Sequence, residues 1–376
     1  MAFRPFFLLG ALWSGLALAC WIALLAGHAP LPSRFDPLGW HIHEMLFGFV
    51  LAVVAGFILT AVPNWTGRKC LSGWPLAGLV LLWVLGRIGC AFSALLPAAL
   101  VAALDGSFAF TLAAIVAVDI VRARNRRNYL MPLPIVLLGI ANLLMHAEAA
   151  GLAVPAGLGW RLGIAAIVVL MLIIGGRIVP AFTRNWLAKR PAARLPSEAG
   201  SLDLVALLLA CGAIVLWAVL PLAPLSGGVL LLGAAASVWR LSRWCGLATL
   251  AEPLLAILHL GYGWICVGLG LLGASLFWPQ VPAAAAIHAL TAGAMGTLIL
   301  AMVTRVSRGH TGRPLRAGGT ETLLYACITI SVAVRLAAAF GGNLVLLKIS
   351  AAFWIAAFAG FAVLYAPMLF TARADR

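Results

Sequence analysis

Twelve stretches of about twenty apolar residues, separated by short segments that hold most of the charge, run the length of this 376-residue chain. Such a segment is stable as a helix across hydrocarbon, where every backbone polar group must be satisfied within the segment itself. The stretches lie near 5–27, 43–63, 74–94, 97–121, 131–150, 160–182, 202–221, 225–240, 253–274, 283–304, 320–340 and 344–367, bounded by charged residues, Pro, Gly or Asn. At roughly 20 residues per span they consume about 240 residues, which leaves short loops and no room for a separate soluble domain. The expected fold class is therefore an all-α integral membrane protein, a single polytopic domain over 1–376. Composition agrees, because a chain 64% hydrophobic and 9% charged cannot cover itself with a polar shell. The N-terminal MAFRPFF leads straight into the first apolar run with no small-residue cleavage site, so the first helix is expected to stay.

The net charge of +15 comes from 25 Lys+Arg against 10 Asp+Glu. The arginines form short clusters between apolar runs and no continuous basic face, so membrane lipid is an expected partner and nucleic acid is not. With the N-terminus inside, the inner side receives Arg4, Arg68, Lys69, Arg122, Arg124, Arg126, Arg127, Arg184, Lys189, Arg190, Arg194, Arg240, Arg243, Arg305, Arg308, Arg313, Arg316, Arg373 and Arg376. The outer side receives only Arg34 and Arg161, while Arg87, Arg177, Arg335 and Lys348 fall within spans. Cytoplasmic loops collect Lys and Arg, and a missed or invented helix would scramble this alternation, so twelve helices with both termini cytoplasmic are expected.

Two distant segments share one pattern. His43, Gly48 and Thr66-Gly67-Arg68 near the second helix match His288, Gly293 and Thr311-Gly312-Arg313 near the tenth at equal spacing. The sixth helix carries a weaker echo, with Val179-Pro180 and Asn185-Trp186 beside Val62-Pro63-Asn64-Trp65. Helices 2, 6 and 10 are four spans apart, which suggests a four-helix repeat taken three times in a pseudo-threefold arrangement.

Ionisable groups inside a bilayer are costly and each is a functional hypothesis. Arg87 and Asp105 lie at similar depths on helices 3 and 4 and could form a structural ion pair. Arg335 and Lys348 share a shallow depth, where they either snorkel or bind an anionic group. Five of seven histidines, His28, His41, His43, His146 and His288, map to the outer half; His259 lies lower, with Tyr262 on the same face. Imidazole is a common ligand for haem iron and suits copper. His41 and His43 project about 200° apart if both are helical and so cannot easily share one metal. Glu44 beside them is available as an acceptor behind a ligating histidine or as a proton carrier. Asn142 and His146, four residues apart, share a face. The equivalent places of His43 and His288 make a bis-histidine haem between helices 2 and 10 the most economical specific reading. The seven cysteines show no CxxC and no pairable cluster, so disulfides are not expected, and Cys266 alone is placed to approach a cofactor. No P-loop, GxGxxG after a strand, nucleophile elbow or HExxH is present.

FRPFFLLGALW from Phe3, WHIHEMLFGF from Trp40, AGFILTAVPNWTGR from Ala55, LSGWPLAGLVLLWVLGR from Leu71, GGRIVPAFTRNW from Gly175 and HALTAGAMGTLILAMVTRVSRGHTGRPL from His288 resemble the NnrS family of bacterial membrane proteins, end to end. The resemblance implies a twelve-helix inner-membrane protein containing haem b and copper, associated with denitrification and the nitric-oxide response, that lessens nitrosative stress. It draws interest to His41, His43, Glu44, His259 and His288. From their equivalent places in the repeat, His43 and His288 are the expected haem ligands, and His41, His259 and His146 are candidates for copper or a second haem. Glu44 is then the candidate proton carrier, with Arg87, Arg335 and Lys348 as propionate partners and nitric oxide as the small ligand. A looser likeness is to the haem–copper oxidase and nitric-oxide reductase catalytic subunit, but the histidine that family carries on helix 6 and the pair on helix 7 are missing here. A haem-dependent oxidoreductase, a transporter or channel, and a sensory or assembly protein remain the rival roles. The parallel direction of helices 2, 6 and 10 counts against the inverted repeats of a transporter.

Overall fold

The computed structural model describes residues 1–28, 31–190 and 194–371; Arg373 and Arg376 of the charge count lie outside them. Among the described residues there is no strand, and twelve helices are long and apolar enough to cross a membrane. They are α1 (Phe3–Leu25), α2 (Pro37–Thr66), α3 (Trp74–Ala91), α4 (Ala98–Arg122), α5 (Leu133–Ala149), α6 (Leu158–Leu187), α7 (Ser201–Val219), α8 (Pro224–Ser242), α9 (Pro253–Ser275), α10 (Ala283–His310), α11 (Gly319–Gly341) and α12 (Leu344–Phe370).

The largest departure from the hydropathy reading is at α2, which begins at Pro37 rather than near residue 43. Asp36 caps it, its carboxylate accepting from the backbone N–H of Leu38 and Gly39 at 3.2 Å each, and Pro37 supplies the preset first helical φ. His41 and His43 are thereby both helical. After His43 the winding widens to a π-helix over Glu44–Val50, and α10 does the same over Ala289–Gly296 directly after His288. π-helical turns are rare and collect at functional sites.

The chain clusters into two compact units. The first comprises Met1–Ala166 and the last helix from Phe358 onward. Here α1 packs along α2, α3 along α4 and α4 along α5. Arg4 Nη1 donates to the carbonyls of Leu369 (3.0 Å) and Thr371 (2.7 Å), holding the start of α1 to the end of α12. The second unit, Ile167–Ala357, is built on α7 against α8, α8 against α9, and α9 against α10.

Candidate metal centre

Five helices of the first unit, α1 to α5, bring polar side chains to one buried place. Gly48 and Gly86 make the approach possible. A Cβ on Gly48 would stand 2.5 Å from Trp13 Nε1, 2.8 Å from Glu44 Oε2 and 2.9 Å from Arg87 Nη1, and one on Gly86 would stand 2.7 Å from Asp105 Oδ1. Arg87, on α3, bridges two carboxylates: Nη1 donates to Glu44 Oε2 at 2.7 Å, and Nη2 pairs with Asp105 Oδ1. Trp13 Nε1 donates to the same Glu44 oxygen at 2.8 Å. Asp105 Oδ2 accepts from Asn142 Nδ2 at 2.6 Å and His146 Nε2 at 3.1 Å.

His43 is fully buried, with its two nitrogens facing two carboxylates. Nδ1 lies 3.0 Å from Glu44 Oε1; a carboxylate only accepts, so Nδ1 carries the hydrogen. Nε2 lies 3.1 Å from Asp105 Oδ2, and no hydrogen bond satisfies it. Asn142 Oδ1 is likewise buried without a donor. Cys90, one turn beyond Arg87, places Sγ 4.0 Å from His146 Nε2. One ligand atom from each of His43, Cys90, Asp105 and His146 falls within 4.8 Å of all the others. Phe35, from the loop before α2, covers both rings, its centroid 4.7 Å from His43 and 5.2 Å from His146. That loop is clasped to the end of α3 through Ser33 Oγ on the Cys90 carbonyl (2.9 Å) and Arg34 N on Ser93 Oγ (2.7 Å).

Charge decides what the cluster can do. Two carboxylates face one guanidinium, so with neutral imidazoles the site holds an excess negative charge, which is costly away from water. A proton on both nitrogens of His43 would balance it but would leave Cys90 without a role. A cation bound by His43 Nε2, Cys90 Sγ, Asp105 Oδ2 and His146 Nε2, whose hydrogen then sits on Nδ1, balances the charge and fills the orphaned position. Two imidazoles, a thiolate and one carboxylate oxygen form a donor set suited to a transition metal and unlike the all-oxygen shells of calcium or magnesium.

The profile of the NnrS family, described as NnrS protein, matches residues 1–373. The chain belongs to the NnrS family. No curated protein matches it. The family places the chain among membrane proteins of the nitric-oxide response and is associated with metal binding.

Of the residues singled out from sequence, the cluster gathers His43, Glu44, Arg87, Asp105, Asn142 and His146. His41 instead stacks on Trp21, with ring centroids 4.1 Å apart. His259, in the second unit, approaches Thr183 Oγ1 at 2.8 Å; because that hydroxyl also donates to the Val179 carbonyl, His259 is the donor through Nε2. Cys266 points its thiol at the Tyr262 carbonyl, 3.7 Å away. His288, half-buried on α10, donates Nδ1–H to the Ala284 carbonyl at 2.7 Å, which leaves Nε2 as the nitrogen that can bind a metal. Arg335 lies within electrostatic reach of His288, and Lys348 is exposed on α12. Gly293 and Gly296 on α10 accommodate the rings of Trp264 and Trp354. Sequence reasoning missed Cys90 and the place of Asp105 between His43 and His146. The usable signal was the depth match of Arg87 with Asp105.

Proposed function

We propose that this protein is a copper- and haem b-containing protein of the bacterial inner membrane, with both termini cytoplasmic, that limits nitrosative stress during denitrification through redox chemistry on nitric oxide or a species derived from it. The observation that carries the reading is the buried cluster of His43, Cys90, Asp105 and His146, with His43 Nε2 left without a hydrogen bond. Copper fits that donor set. Bound there, it supplies one-electron chemistry in a site from which water is excluded.

The chain's own residues set up that chemistry. Glu44 accepts Nδ1–H of His43 and so fixes which ring nitrogen is offered. Arg87 takes one oxygen of Asp105, and the other, steadied by Asn142, is the one offered to the ion. The stacked Phe35 ring keeps solvent from both imidazoles. Glu44, held between Arg87 and Trp13, is the group placed to carry a proton to or from the site.

We assign His43 to copper rather than haem, because Phe35, Phe47 and His146 enclose its ring and Asp105 stands at Nε2. His288 is the proposed haem b ligand; its Nδ1–H is already committed to a carbonyl, as ligating histidines require. Arg335 and Lys348 are its propionate partners. The test is metal and pyridine haemochrome analysis of detergent-purified wild type, His146→Ala and His288→Ala. The reading expects copper to fall with the first variant and haem with the second. Wild-type protein that is folded and metal-free would refute it.

A further inference from the structure

Arg87 and Glu44 touch each other and flank the ligand set without being part of it. With Cys90 bound as thiolate, as a coordinating thiol is, and with Asp105 and Glu44 ionised, three negative charges face the single positive charge of Arg87. The residues then sum to minus two. A divalent ion brings the centre to zero and a monovalent ion leaves it negative, a costly residue at this depth of burial.

We propose that the Glu44–Arg87 pair is an electrostatic positioning device that sets the oxidation state the centre prefers, holding its copper in the divalent form. This rests on the copper assignment proposed above. Geometry gives each residue a route to the metal. Glu44 Oε1 acts through the His43 ring, from 3.0 Å behind Nδ1, and Arg87 acts through the Asp105 carboxylate whose other oxygen is the ligand. Both lie behind a ligand, so a change of charge at either is felt at the ion without removing a donor atom.

The two charges have opposite signs, and so do the expected shifts. Glu44→Gln leaves the centre neutral with a monovalent ion, so the reduction potential rises. Arg87→Gln makes it more negative, so the potential falls. The double variant restores the wild-type sum and returns the potential towards the wild-type value, while Arg87→Lys, which keeps the charge, leaves it near wild type. A unit charge roughly 6–7 Å from the ion at an effective dielectric of about 20 changes the relative affinity for the two oxidation states on the order of a hundredfold.

The experiment is a redox titration of the full-length, copper-loaded protein in detergent, followed by the Cu(II) EPR signal, with copper stoichiometry measured on each sample. Opposite shifts for the single variants, cancelling in the double, are the expected result. A wholly structural role would instead lower copper content in both variants and move their potentials in no opposed pattern. If wild type loads with copper but Glu44→Gln leaves the potential unmoved, this inference fails and the copper assignment stands. If wild type takes up no copper, both fail. Should Arg87→Gln not fold, Glu44→Gln against Arg87→Lys still decides.

Discussion

Replacing Gly48 by Ala tests whether the metal centre depends on close packing at a residue that ligates nothing. The added Cβ would stand 2.5 Å from Trp13 Nε1, 2.8 Å from Glu44 Oε2 and 2.9 Å from Arg87 Nη1, and three partners cannot all withdraw without parting. The Glu44 carboxylate must move, which weakens its hydrogen bonds from Arg87 (2.7 Å) and Trp13 (2.8 Å). Hydrogen bonds to a charged group contribute about 1.5–3 kcal/mol each. The helix itself gains ~1 kcal/mol from Gly to Ala. Full loss of both bonds less that gain leaves a net destabilisation of about 2–5 kcal/mol, and loss of half of each about 0.5–2 kcal/mol. Because Glu44 orients His43, copper affinity should also fall by about 10–100-fold, as for other outer partners of metal ligands. The assay is denaturant unfolding in detergent with a copper titration on the same protein. Gly78→Ala on α3, where a Cβ meets nothing within 4 Å, is the control and should be neutral or stabilising. If Gly48→Ala behaved like Gly78→Ala in both measurements, the packing argument for the Glu44–Arg87 cluster would be wrong.

Asp105→Asn removes the charge that Arg87, Asn142 and His146 share and sets an amide against two donors; it should abolish copper binding and cost about 3–5 kcal/mol of stability, read by copper analysis and unfolding. His259→Ala should leave haem and copper content unchanged and cost about 1 kcal/mol for the lost Thr183 bond, since His259 belongs to neither proposed site. Asp36→Ala removes the cap of α2 and should lower stability by about 1 kcal/mol in the same unfolding assay, with copper content retained.

The membrane helices were legible because length and apolarity are properties of each segment alone. The start of α2 was not, since hydropathy locates where a chain becomes apolar while a cap decides where it becomes helical. Asp36-Pro37 carried that signal in a stretch too polar to count as a span. At the site, the pairing of Arg87 with Asp105 followed from depth, and the shared face of Asn142 and His146 from a spacing of four. Cys90 could not be recognised the same way. A lone cysteine in an apolar helix usually packs as a small apolar group, and what distinguishes this one is the company of His43 and His146 from other helices. The two π-helical turns were equally hidden, although each begins directly after a histidine the sequence had singled out.

If His43, Cys90, Asp105 and His146 hold copper, X-ray absorption at the copper edge will read their donor atoms. Wild-type protein should show nitrogen or oxygen neighbours with one sulfur, and Cys90→Ser should lose the sulfur while keeping the imidazoles. A wild-type spectrum without sulfur, unchanged in Cys90→Ser, would place the copper elsewhere and contradict the assignment.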